Sequence, residues 1–360
     1  MSKKLKAGIV GCGAIAEFKY LKALTSIPEL EVVAFCDIIP ERAENMKKLF
    51  ESDNGKTYVD YKDLLKDESI DVIHVCTPNR SHAPITVDSL KAGKHVMCEK
   101  PMATTYKEAK LMVDTAKECN KLLTIGYQYR CLPAQLFLKE MCDNGELGEI
   151  YFAKAHAVRR RGVPTWGVFM NEEEQGGGPL IDIGTHALDM TLWMMNNYKP
   201  KTVLGTVYHK LSDHPDCGNI FGPWDPKGFT VEDSAFGFIT MENGATVILE
   251  SSWALNTLDE GEAMCTLCGT KAGANMKGGL RIASDKHGKF TELKPDFSDG
   301  GILFVPGGKI ISAEEKEART FYDAILHGTE LRVKPEQALV VTQILDAIYE
   351  SGRTGKPVEL

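Results

Sequence analysis

Three side chains in this sequence have the chemistry needed to move a proton at a hydroxyl group. Lys100 follows a short apolar run, and Asp182 and His186 lie four residues apart in the segment LIDIGTHALD. An imidazole titrates near neutral pH, so His186 can accept the proton of an alcohol while a hydride leaves the same carbon. The ammonium of Lys100 can stabilise the developing alkoxide, and Asp182 can orient the histidine or hold a substrate hydroxyl. The reverse assignment, with Lys100 as the base and His186 as a hydrogen-bond donor, stays open.

The stretch KAGIVGCGAIA, at residues 6–16, predicts the element that would bind the hydride acceptor. A short apolar strand runs into Gly11 and Gly13, and an amphipathic helix follows, which is the context of a dinucleotide-binding turn. Gly11 allows a sharp turn, Gly13 lets a pyrophosphate approach the backbone, and the helix N-terminus offers free N–H groups to the phosphates. We therefore expect Gly11, Gly13, Ala14 and Ile15 to bind a dinucleotide.

Asp37 indicates which dinucleotide binds. It follows the strand LEVVAFC and lies 21 residues after Ala16, where this type of fold places the acid that holds the ribose hydroxyls. A carboxylate there repels a 2′-phosphate, so the sequence favours NAD over NADP, with Arg42 as a nearby cation that could offset the preference. The structural alternative is that Asp37 only caps the helix that begins at Pro40.

Two further apolar runs end in polar residues that we expect to line the same crevice. The run IDVIHVC is followed by Thr77, Asn79 and His82, and the run HVMC is followed by Glu99 and Lys100. The carboxyl ends of parallel strands face the ligand crevice of a doubly wound sheet. We therefore predict cofactor contacts for all five residues, although Asn79 is also suited to capping the next helix.

The order of predicted elements divides the chain into two domains. Residues 1–125 alternate strands with helices, which is typical of an α/β domain with a doubly wound parallel sheet, the Rossmann fold. Residues 126–360 are mostly strands joined by turns and closed by two helices, which predicts an α+β domain with an open-faced, largely antiparallel sheet. Lys100 and His186 fall in different predicted domains, so we expect the chemistry at the seam between them.

Composition and charge exclude several classes of partner. The 360 residues carry 42 basic and 50 acidic side chains, and the net charge of −8 disfavours nucleic acid or an anionic membrane as partner. No apolar run reaches the length of about 20 residues that a membrane span needs. Most of the ten cysteines fall in predicted strands and helices, and Cys265 and Cys268 lack the second pair or the histidine of a zinc site. We expect a protein without a bound metal, in a reducing cytoplasm.

Four motifs together resemble the marker set of the Gfo/Idh/MocA oxidoreductases. The resemblance implies a sugar or polyol dehydrogenase with a Rossmann domain and an open-faced sheet domain. It also implies that Lys100 and His186 are the catalytic pair, that Asp182 contacts substrate, and that the Lys100–Pro101 peptide is cis. The motifs, which occur in matching order over the whole chain, are Gly11-Cys12-Gly13, Thr77-Pro78-Asn79 with His82, Glu99-Lys100-Pro101 and Asp182-Ile183-Gly184-Thr185-His186.

Longer stretches resemble a narrower group, the bacterial D-glucoside 3-dehydrogenases, which oxidise the C3 hydroxyl of glucosides with NAD. These stretches are RRGVP, WGVF, QGGGPLIDI, WDP, VEDS and ALN, and the chain departs from the group's pattern at Thr165 and Thr185. Aromatic and charged side chains at residues 158–169 suit a carbohydrate site, although the arginines could equally form a solvated loop and Trp166 could be a core residue. The substrate residues that we expect are Lys100, Tyr129, Arg160, Trp166, Asp182 and His186.

Other functions stay open from the sequence alone. An NAD-dependent glycosidase would oxidise C3 transiently and release free sugar without net NADH. A silent NAD-binding regulator would not turn over, although the intact Lys100 and His186 argue against it, and another sugar or an inositol could be the substrate. Apolar residues at alternate positions between Ser234 and Trp253 predict an uncovered sheet face, from which we expect a homodimer or homotetramer.

Overall fold

The structure is a computed structural model, and its described residues form two compact units. The sequence pattern assigns everything after residue 125 to a second domain, whereas the structure places residues 311–339 in the first unit. The order of elements along a chain does not reveal which unit a late helix joins. The assignment of residues 311–339 to the first unit was therefore not predictable from the local sequence pattern. The structure describes residues 4–215, 218–297 and 311–360; of these, the first unit comprises 4–131 and 311–339, and the second comprises 132–215, 218–297 and 340–360.

One parallel sheet organises the first unit. Its strands are β1 (Leu5–Val10), β2 (Leu30–Cys36), β3 (Lys56–Tyr58), β4 (Val72–Val75), β5 (His95–Cys98) and β6 (Leu123–Ile125). They lie in the order β3-β2-β1-β4-β5-β6, and every pairing is parallel. The chain changes its direction of travel across the sheet between β1 and β4, which is where doubly wound sheets bind their ligands. The predicted Rossmann architecture is confirmed.

Helices connect the strands of this sheet, and several begin at recognisable start signals. They are α1 (Leu21–Thr25), α2 (Pro40–Leu49), α3 (Tyr61–Leu65), α4 (His82–Lys91) and α5 (Tyr106–Glu118). Pro40 is the first residue of α2. Proline is tolerated there because a backbone N–H at this position would have no acceptor within the helix. The hydroxyl of Thr105 accepts a hydrogen bond from the backbone N–H of Glu108 at 3.3 Å, which caps the start of α5. A π-helical turn, Ala16–Tyr20, leads from the glycine turn into α1.

A nine-stranded sheet organises the described part of the second unit. Its strands are β7 (Ile150–Val158), β8 (Pro200–Tyr208), β9 (Ser234–Met241), β10 (Thr246–Ser252), β11 (Gly261–Gly269), β12 (Gly273–Asn275), β13 (Arg281–Lys286), β14 (Lys289–Leu293) and β15 (Val358–Glu359). They lie in the order β14-β13-β12-β11-β7-β10-β9-β8-β15, and among these strands only β7 and β10 pair in parallel. In β9, Ala235, Gly237 and Ile239 are buried, whereas Phe236 and Phe238 point to a more exposed face. The predicted open-faced, largely antiparallel sheet is confirmed.

Helices pack on the buried face of this sheet. The second unit contains α6 (Pro133–Asp143), α7 (Glu172–Gln175) and α8 (Thr185–Met195). Two further helices follow late in the chain. The first, α9 (Ala313–His327), belongs to the first unit, and most of the second, α10 (Pro335–Thr354), belongs to the second unit. α8 packs against β7 and β11. A Cβ on Gly205 or Gly237 would lie 2.8 or 2.5 Å from the side chain of Ile348 in α10, so the absence of a side chain lets this helix approach the sheet.

The sequence predicts most of these strands but not β12, β14 or β15. These three strands are short and lack the run of alternating apolar residues that marks a half-buried strand. Within the described ranges, the structure contains no helix with both the length and the apolar character that crossing a membrane requires.

Candidate active site

The glycine turn of the first unit leaves room for a dinucleotide. A Cβ on Gly11, whose φ is +92°, would lie 2.6 Å from the carbonyl carbon of Cys76, so only glycine fits there. A Cβ on Gly13 would meet no atom within 4 Å, so the backbone of Gly13 borders open space. Ala14 and Ile15 begin the helical segment that follows, and both are exposed. Phosphates can therefore reach the free N–H groups at the start of this segment.

Asp37 is fixed between the glycine turn and α2. Its Oδ2 accepts a hydrogen bond from the N–H of Cys12 and its Oδ1 accepts one from the N–H of Ile39, each at 2.9 Å. The carboxylate therefore orders the residues before α2, but the N-cap of α2 is Ile39 and no side chain caps it, so the alternative that Asp37 only caps this helix is wrong. Each oxygen keeps a further lone pair, so the contact with ribose hydroxyls stays a prediction. A cleft of about 320 Å³ lies beside the turn and is lined by Cys12, Gly13, Ala14, Glu17, Phe18, Glu41, Arg42 and Asn45.

His82 joins the two strand-end loops that carry the predicted cofactor residues. Its Nε2 lies 2.9 Å from the carbonyl oxygen of Thr77, and its Nδ1 lies 2.7 Å from the carbonyl oxygen of Pro101. The ring is 1% exposed. Burial lowers the pKa of His82, although the hydrogen bonds to the two carbonyl oxygens act to raise it. Both ring nitrogens are used inside the unit, so the structure gives His82 a positioning role, and its predicted direct contact with the cofactor finds no support in this geometry.

Glu99 is the centre of a buried ionic cluster that we call the Lys19 cluster, formed by Lys19, Tyr20, Glu99 and Glu317. Oε1 of Glu99 accepts hydrogen bonds from the ammonium of Lys19 at 2.5 Å and from the hydroxyl of Tyr20 at 2.6 Å. Oε2 of Glu99 accepts one from the backbone N–H of Lys100 at 3.3 Å. The carboxylate of Glu317 lies 3.0 Å from the same ammonium. The Glu99 side chain thus anchors the loop of Lys100, which leaves only its backbone for the predicted cofactor contact.

The two buried carboxyl groups of the Lys19 cluster, those of Glu99 and Glu317, have pKa values shifted in opposite directions. Burial raises the pKa of Glu317 to about 7, although the ammonium of Lys19 pulls it down. Burial also acts to raise the pKa of Glu99, but the charge and hydrogen bond of Lys19 outweigh it and lower this pKa. One ammonium cannot neutralise two buried carboxylates, so Glu317 is the carboxyl of this cluster that takes up a proton as the pH falls through about 7.

Lys100 and Tyr129 lie in loops of the first unit that follow strands of its sheet. Lys100 comes two residues after β5 and is half-buried. Its peptide bond to Pro101 is cis, as the family resemblance implies. Tyr129 lies in a half-buried position of a single 3₁₀ turn, Gln128–Cys131, after β6. Asn79, the remaining predicted residue of this unit, starts a 3₁₀ turn, Asn79–Ser81, that leads into α4.

In the second unit, Asp182 and His186 lie on successive turns of one helical segment. Asp182 is in a π-helical turn, Leu180–Gly184, and His186 is in the first turn of α8. Both side chains are buried, at 9% and 5% exposed. Oδ2 of Asp182 accepts a hydrogen bond from the indole N–H of Trp253 at 3.1 Å, which fixes the carboxylate. The structure therefore brings the two predicted residues of this unit into one segment.

Glu232 holds the backbone immediately before this segment. Its two carboxylate oxygens accept hydrogen bonds from the N–H of Gly178 at 2.8 Å and the N–H of Leu180 at 3.0 Å. The hydroxyl of Tyr349 donates to the same carboxylate at 2.9 Å. Ser251 adds a hydrogen bond to the carbonyl oxygen of Pro179 at 2.7 Å. These contacts hold the start of the helix that carries Asp182 and His186 in one conformation.

The three consecutive arginines after β7 have different environments. The guanidinium of Arg159 binds Glu262 through two hydrogen bonds at 2.7 and 2.8 Å. Arg161 donates to the side chain of Asn256 at 2.7 Å. Arg160 is exposed, which leaves it the most accessible of the three for a substrate. Trp166 is 50% exposed, so the alternative that it is a core residue is wrong.

The sequence did not reveal four residues that hold the candidate site, namely Lys19, Glu317, Glu232 and Trp253. Two of them could have been suspected from the sequence. Lys19 lies beside apolar residues in the segment after the glycine turn, and Glu232 lies in the VEDS stretch. Glu317 and Trp253 meet partners far away in the chain, so no local pattern identifies them.

Comparisons with known proteins match both units. Residues 5–127 match an oxidoreductase family with an NAD-binding Rossmann fold, and residues 136–275 match the GFO/IDH/MocA C-terminal domain. The chain is 36% identical over 362 residues to the D-glucoside 3-dehydrogenase of Escherichia coli (strain K12), covering 100% of this chain and 98% of that protein. It is 36% identical over 197 residues to the glucose-6-phosphate 3-dehydrogenase of Bacillus subtilis (strain 168), covering 53% and 54%. The crystal structure of aldose-aldose oxidoreductase from Caulobacter crescentus, complexed with glycerol, shares the fold, with a TM-score of 0.80, 22% identity and coverage of 99% and 100%.

Proposed function

Because the chain belongs to the Gfo/Idh/MocA family of NAD-binding oxidoreductases, we propose that it oxidises the C3 hydroxyl of D-glucosides to 3-keto-glucosides with NAD. The observation that carries the proposal is the alignment with a D-glucoside 3-dehydrogenase over 100% of this chain. That alignment includes the nucleotide-binding turn of the first unit and the Asp182–His186 segment of the second.

The first unit has the features that NAD requires. The open space at Gly13 and the exposed helix start after it suit the pyrophosphate, and Asp37 suits the adenosine ribose. When bound, NAD supplies the acceptor for the hydride. Gly11, Ala14, Ile15, Thr77 and Asn79 complete the set of side chains and backbone groups that we assign to the cofactor. His82 and Glu99 act on this set indirectly, through the loops that they hold.

We assign the proton transfer to His186 and the stabilisation of negative charge to Lys100. As the hydride leaves C3 of the sugar, the O3–H bond breaks, its proton goes to the imidazole of His186, and the C3–O3 bond becomes a carbonyl. The ammonium of Lys100 lowers the energy of the alkoxide-like transition state. Asp182, oriented by the indole of Trp253, holds a neighbouring hydroxyl of the sugar. The products are the 3-keto-glucoside, NADH and one proton.

Single substitutions separate these two roles. His186→Ala and Lys100→Ala should each lower kcat by about 10²–10⁴, the usual cost of losing a general acid or base, with little change in NAD affinity. The pH dependence of kcat in each variant then identifies the base. The variant that retains the base should still lose activity at low pH as the base is protonated, and the variant that lacks it should not. Near wild-type turnover by His186→Ala on every glucoside would contradict the assignment.

A panel of glucosides tests the reaction itself. Incubation with NAD should form NADH and a 3-keto sugar in equal amounts from at least one D-glucoside. Release of free sugar without net NADH would instead indicate a glycosidase, and oxidation of inositols or other sugars in preference to glucosides would identify a different dehydrogenase. Binding of NAD without any turnover would indicate a regulator.

We also propose that NAD is preferred over NADP because of Asp37. The measurement is kcat/KM with each cofactor. Replacing Asp37 by serine removes the negative charge and should narrow the preference for NAD, and Arg42, which lines the adjacent cleft, then becomes available to a 2′-phosphate. A wild-type preference for NADP would contradict this proposal.

The exposed face of the second unit's sheet supports a homo-oligomer, either a dimer or a tetramer. Leu204 and Phe238 are each 47% exposed and pair side by side on neighbouring strands. Exposed apolar faces of this kind usually mark subunit interfaces. Light scattering should give a dimer or tetramer, and Phe238→Glu should lower the measured mass. Leu111→Glu changes an apolar residue, 52% exposed, of the first unit and serves as control. A wild-type monomer at micromolar concentration would contradict the proposal.

The state of the cysteines supports a reducing compartment. The nine cysteines within the described ranges are free thiols, and burial raises the pKa of several of them, Cys12 and Cys36 to about 12. Thiols of this kind are structural rather than reactive. We therefore propose a cytoplasmic location, which fractionation of the native host would test.

A further inference from the structure

We propose that Trp166 and Phe221 form an aglycone subsite, a surface that binds an aromatic or apolar group attached to C1 of the glucoside. This inference rests on the proposed function, because it assigns the part of the substrate that the oxidised sugar ring leaves uncovered. It also deepens that function, since it predicts aryl glucosides as better substrates than alkyl glucosides with small aglycones.

Both rings are exposed although they belong to an ordered aromatic cluster. Trp166 is 50% exposed and Phe221 is 40% exposed, whereas the other three tryptophans of the chain are at most 8% exposed. The two rings meet edge to face, with centroids 4.7 Å apart. Large aromatic side chains of monomeric proteins are mostly buried, so two exposed and adjacent rings indicate a binding surface.

Polar anchors hold the loops that carry the two rings. Asn219 accepts a hydrogen bond from the N–H of Val163 at 2.9 Å and donates to the carbonyl oxygens of Val163 and Gly222 at 2.9 and 2.8 Å. The hydroxyl of Thr165 donates to the carbonyl oxygen of Phe221 at 2.7 Å. The loops are therefore held together by hydrogen bonds next to the exposed rings. Ligand binding would then not carry the entropic cost of ordering these loops.

A continuous series of ring contacts leads from this surface to Asp182. Trp166 contacts Phe169 with centroids 5.8 Å apart, and Phe169 contacts Trp253 at 6.5 Å. The indole of Trp253 then donates its hydrogen bond to Asp182. The surface is thus connected through packed side chains to the carboxylate that we assign to a sugar hydroxyl.

The chemistry of a glucoside explains what this surface binds. The aglycone is attached to C1, which is separated from the reacting C3 by one ring carbon, so it projects away from the carbon that loses hydride. An aromatic aglycone presents a flat apolar face that packs against tryptophan and phenylalanine edges or faces. The exposed guanidinium of Arg160, in the same loop as Trp166, is suited to the polar groups of the sugar.

Turnover of two substrates that differ only in the aglycone tests the subsite. We expect Trp166→Ala to raise the KM for phenyl β-D-glucoside about tenfold, the effect of losing one aromatic packing contact, and to raise the KM for methyl β-D-glucoside much less. Trp166→Phe should restore much of the phenyl preference. Leu258→Ala removes an apolar residue that is 93% exposed in the same unit, and it should change neither substrate. An equal loss on both substrates, or no loss on either, would overturn the proposal.

A binding measurement separates failure of the subsite from failure of the proposed function. Trp166 is the half-exposed tryptophan of the chain, so phenyl β-D-glucoside should quench the intrinsic fluorescence of the wild-type protein with NADH bound, and should not do so in Trp166→Phe. This result supports the subsite even if no glucoside is turned over. Identical quenching in both proteins, or a fall in the light-scattering mass of Trp166→Ala that shows a second copy packing on this surface, would overturn it.

Discussion

The ammonium of Lys19 lies 2.5 Å from Oε1 of Glu99, and both side chains are shielded from solvent. Glu99 reaches the backbone N–H of Lys100 with its other oxygen, so the ion pair is connected directly to the loop of a proposed catalytic residue. Glu317 adds a second carboxylate at 3.0 Å from the same ammonium. The position of the Lys100 loop therefore depends on a buried charge balance that Lys19 maintains.

The first prediction concerns Lys19. Lys19→Met keeps most of the side-chain volume but leaves the buried carboxylate of Glu99 without its cation. Breaking a buried ion pair in this way costs about 3–5 kcal/mol, so the free energy of unfolding should fall by about that amount. Urea unfolding measures it, and Lys22→Met, at an exposed position of α1, is the matched control with little expected effect. Equal stability of Lys19→Met and wild type would contradict the role of this cluster.

The second prediction concerns the pH dependence of stability. The pKa of Glu317 is about 7 in the folded protein against an ordinary value of 4.5. A raised carboxyl pKa means that the folded state binds the proton more tightly, so this stabilisation is fully present below about pH 4.5 and is lost as pH rises through about 7. Between pH 5 and pH 8 the wild type should lose about 2–3 kcal/mol relative to Glu317→Gln.

The comparison with Glu317→Gln is needed because other groups act in the opposite direction. Burial lowers the pKa of His74 to about 3 and that of His95 to about 4, so their charging opposes folding as pH falls below about 6.5. Both histidines are present in the two proteins, and their contribution cancels in the difference. Parallel stability curves for wild type and variant between pH 5 and pH 8 would show that Glu317 does not titrate in this range.

The Rossmann half of the fold was predictable because its determinants are local. Strand, glycine turn and helix follow one another within KAGIVGCGAIA, and the residues at strand ends occupy fixed places in such a sheet. The same reasoning misjudged the environments of His82 and Glu99. A sequence shows that a side chain follows a strand, but whether it turns toward the crevice or into the unit depends on partners such as Pro101 and Lys19.

The supports of the candidate site were not predictable because they join distant parts of the chain. Glu317 approaches Lys19 across almost 300 residues, and Tyr349 reaches Glu232 from the last helix. Hydrophobic periodicity places α9 and α10 as helices but does not assign the unit that each joins. The exposure of Trp166 is likewise a tertiary property, because the sequence predicted a substrate residue here but left open that Trp166 packs in the core.

The third prediction concerns His82. Its ring nitrogens lie 2.9 Å from the carbonyl oxygen of Thr77 and 2.7 Å from that of Pro101, so the ring donates a hydrogen bond between the two loops. His82→Ala removes that donor and the packing between the carbonyls of Thr77 and Pro101, which should cost about 1–3 kcal/mol of stability. Because both loops carry proposed cofactor residues, the KM for NAD should rise. His327→Ala, at an exposed position in α9, is the control. An unchanged KM for NAD would show that the two loops hold their positions without this histidine.

The fourth prediction concerns Gly178. A Cβ at this position would lie 2.4 Å from the backbone oxygen of Glu232, and backbone cannot move aside as a flexible side chain can. Gly178→Ala should therefore displace the start of the segment that carries Asp182 and lower kcat and the melting temperature together. Gly228→Ala places a methyl group where no atom lies within 4 Å, and it should leave both unchanged. Full activity of Gly178→Ala would show that the backbone of Glu232 tolerates the displacement.

The last prediction uses two glycines of one turn to separate folding from cofactor binding. A methyl group at Gly11 would collide with the backbone of Cys76 in a conformation that L-residues rarely adopt, so Gly11→Ala should destabilise the first unit with or without NAD. A methyl group at Gly13 meets nothing within 4 Å, so Gly13→Ala should unfold at the wild-type temperature when no cofactor is present. It does occupy the space that we assign to the pyrophosphate, and NADH affinity, measured by fluorescence titration, should fall at least about tenfold. Excess NAD should then raise the melting temperature of the wild type but not of Gly13→Ala, because only a bound ligand stabilises the folded state. Wild-type NADH affinity in Gly13→Ala would place the pyrophosphate elsewhere and would remove the basis for assigning this turn to the cofactor.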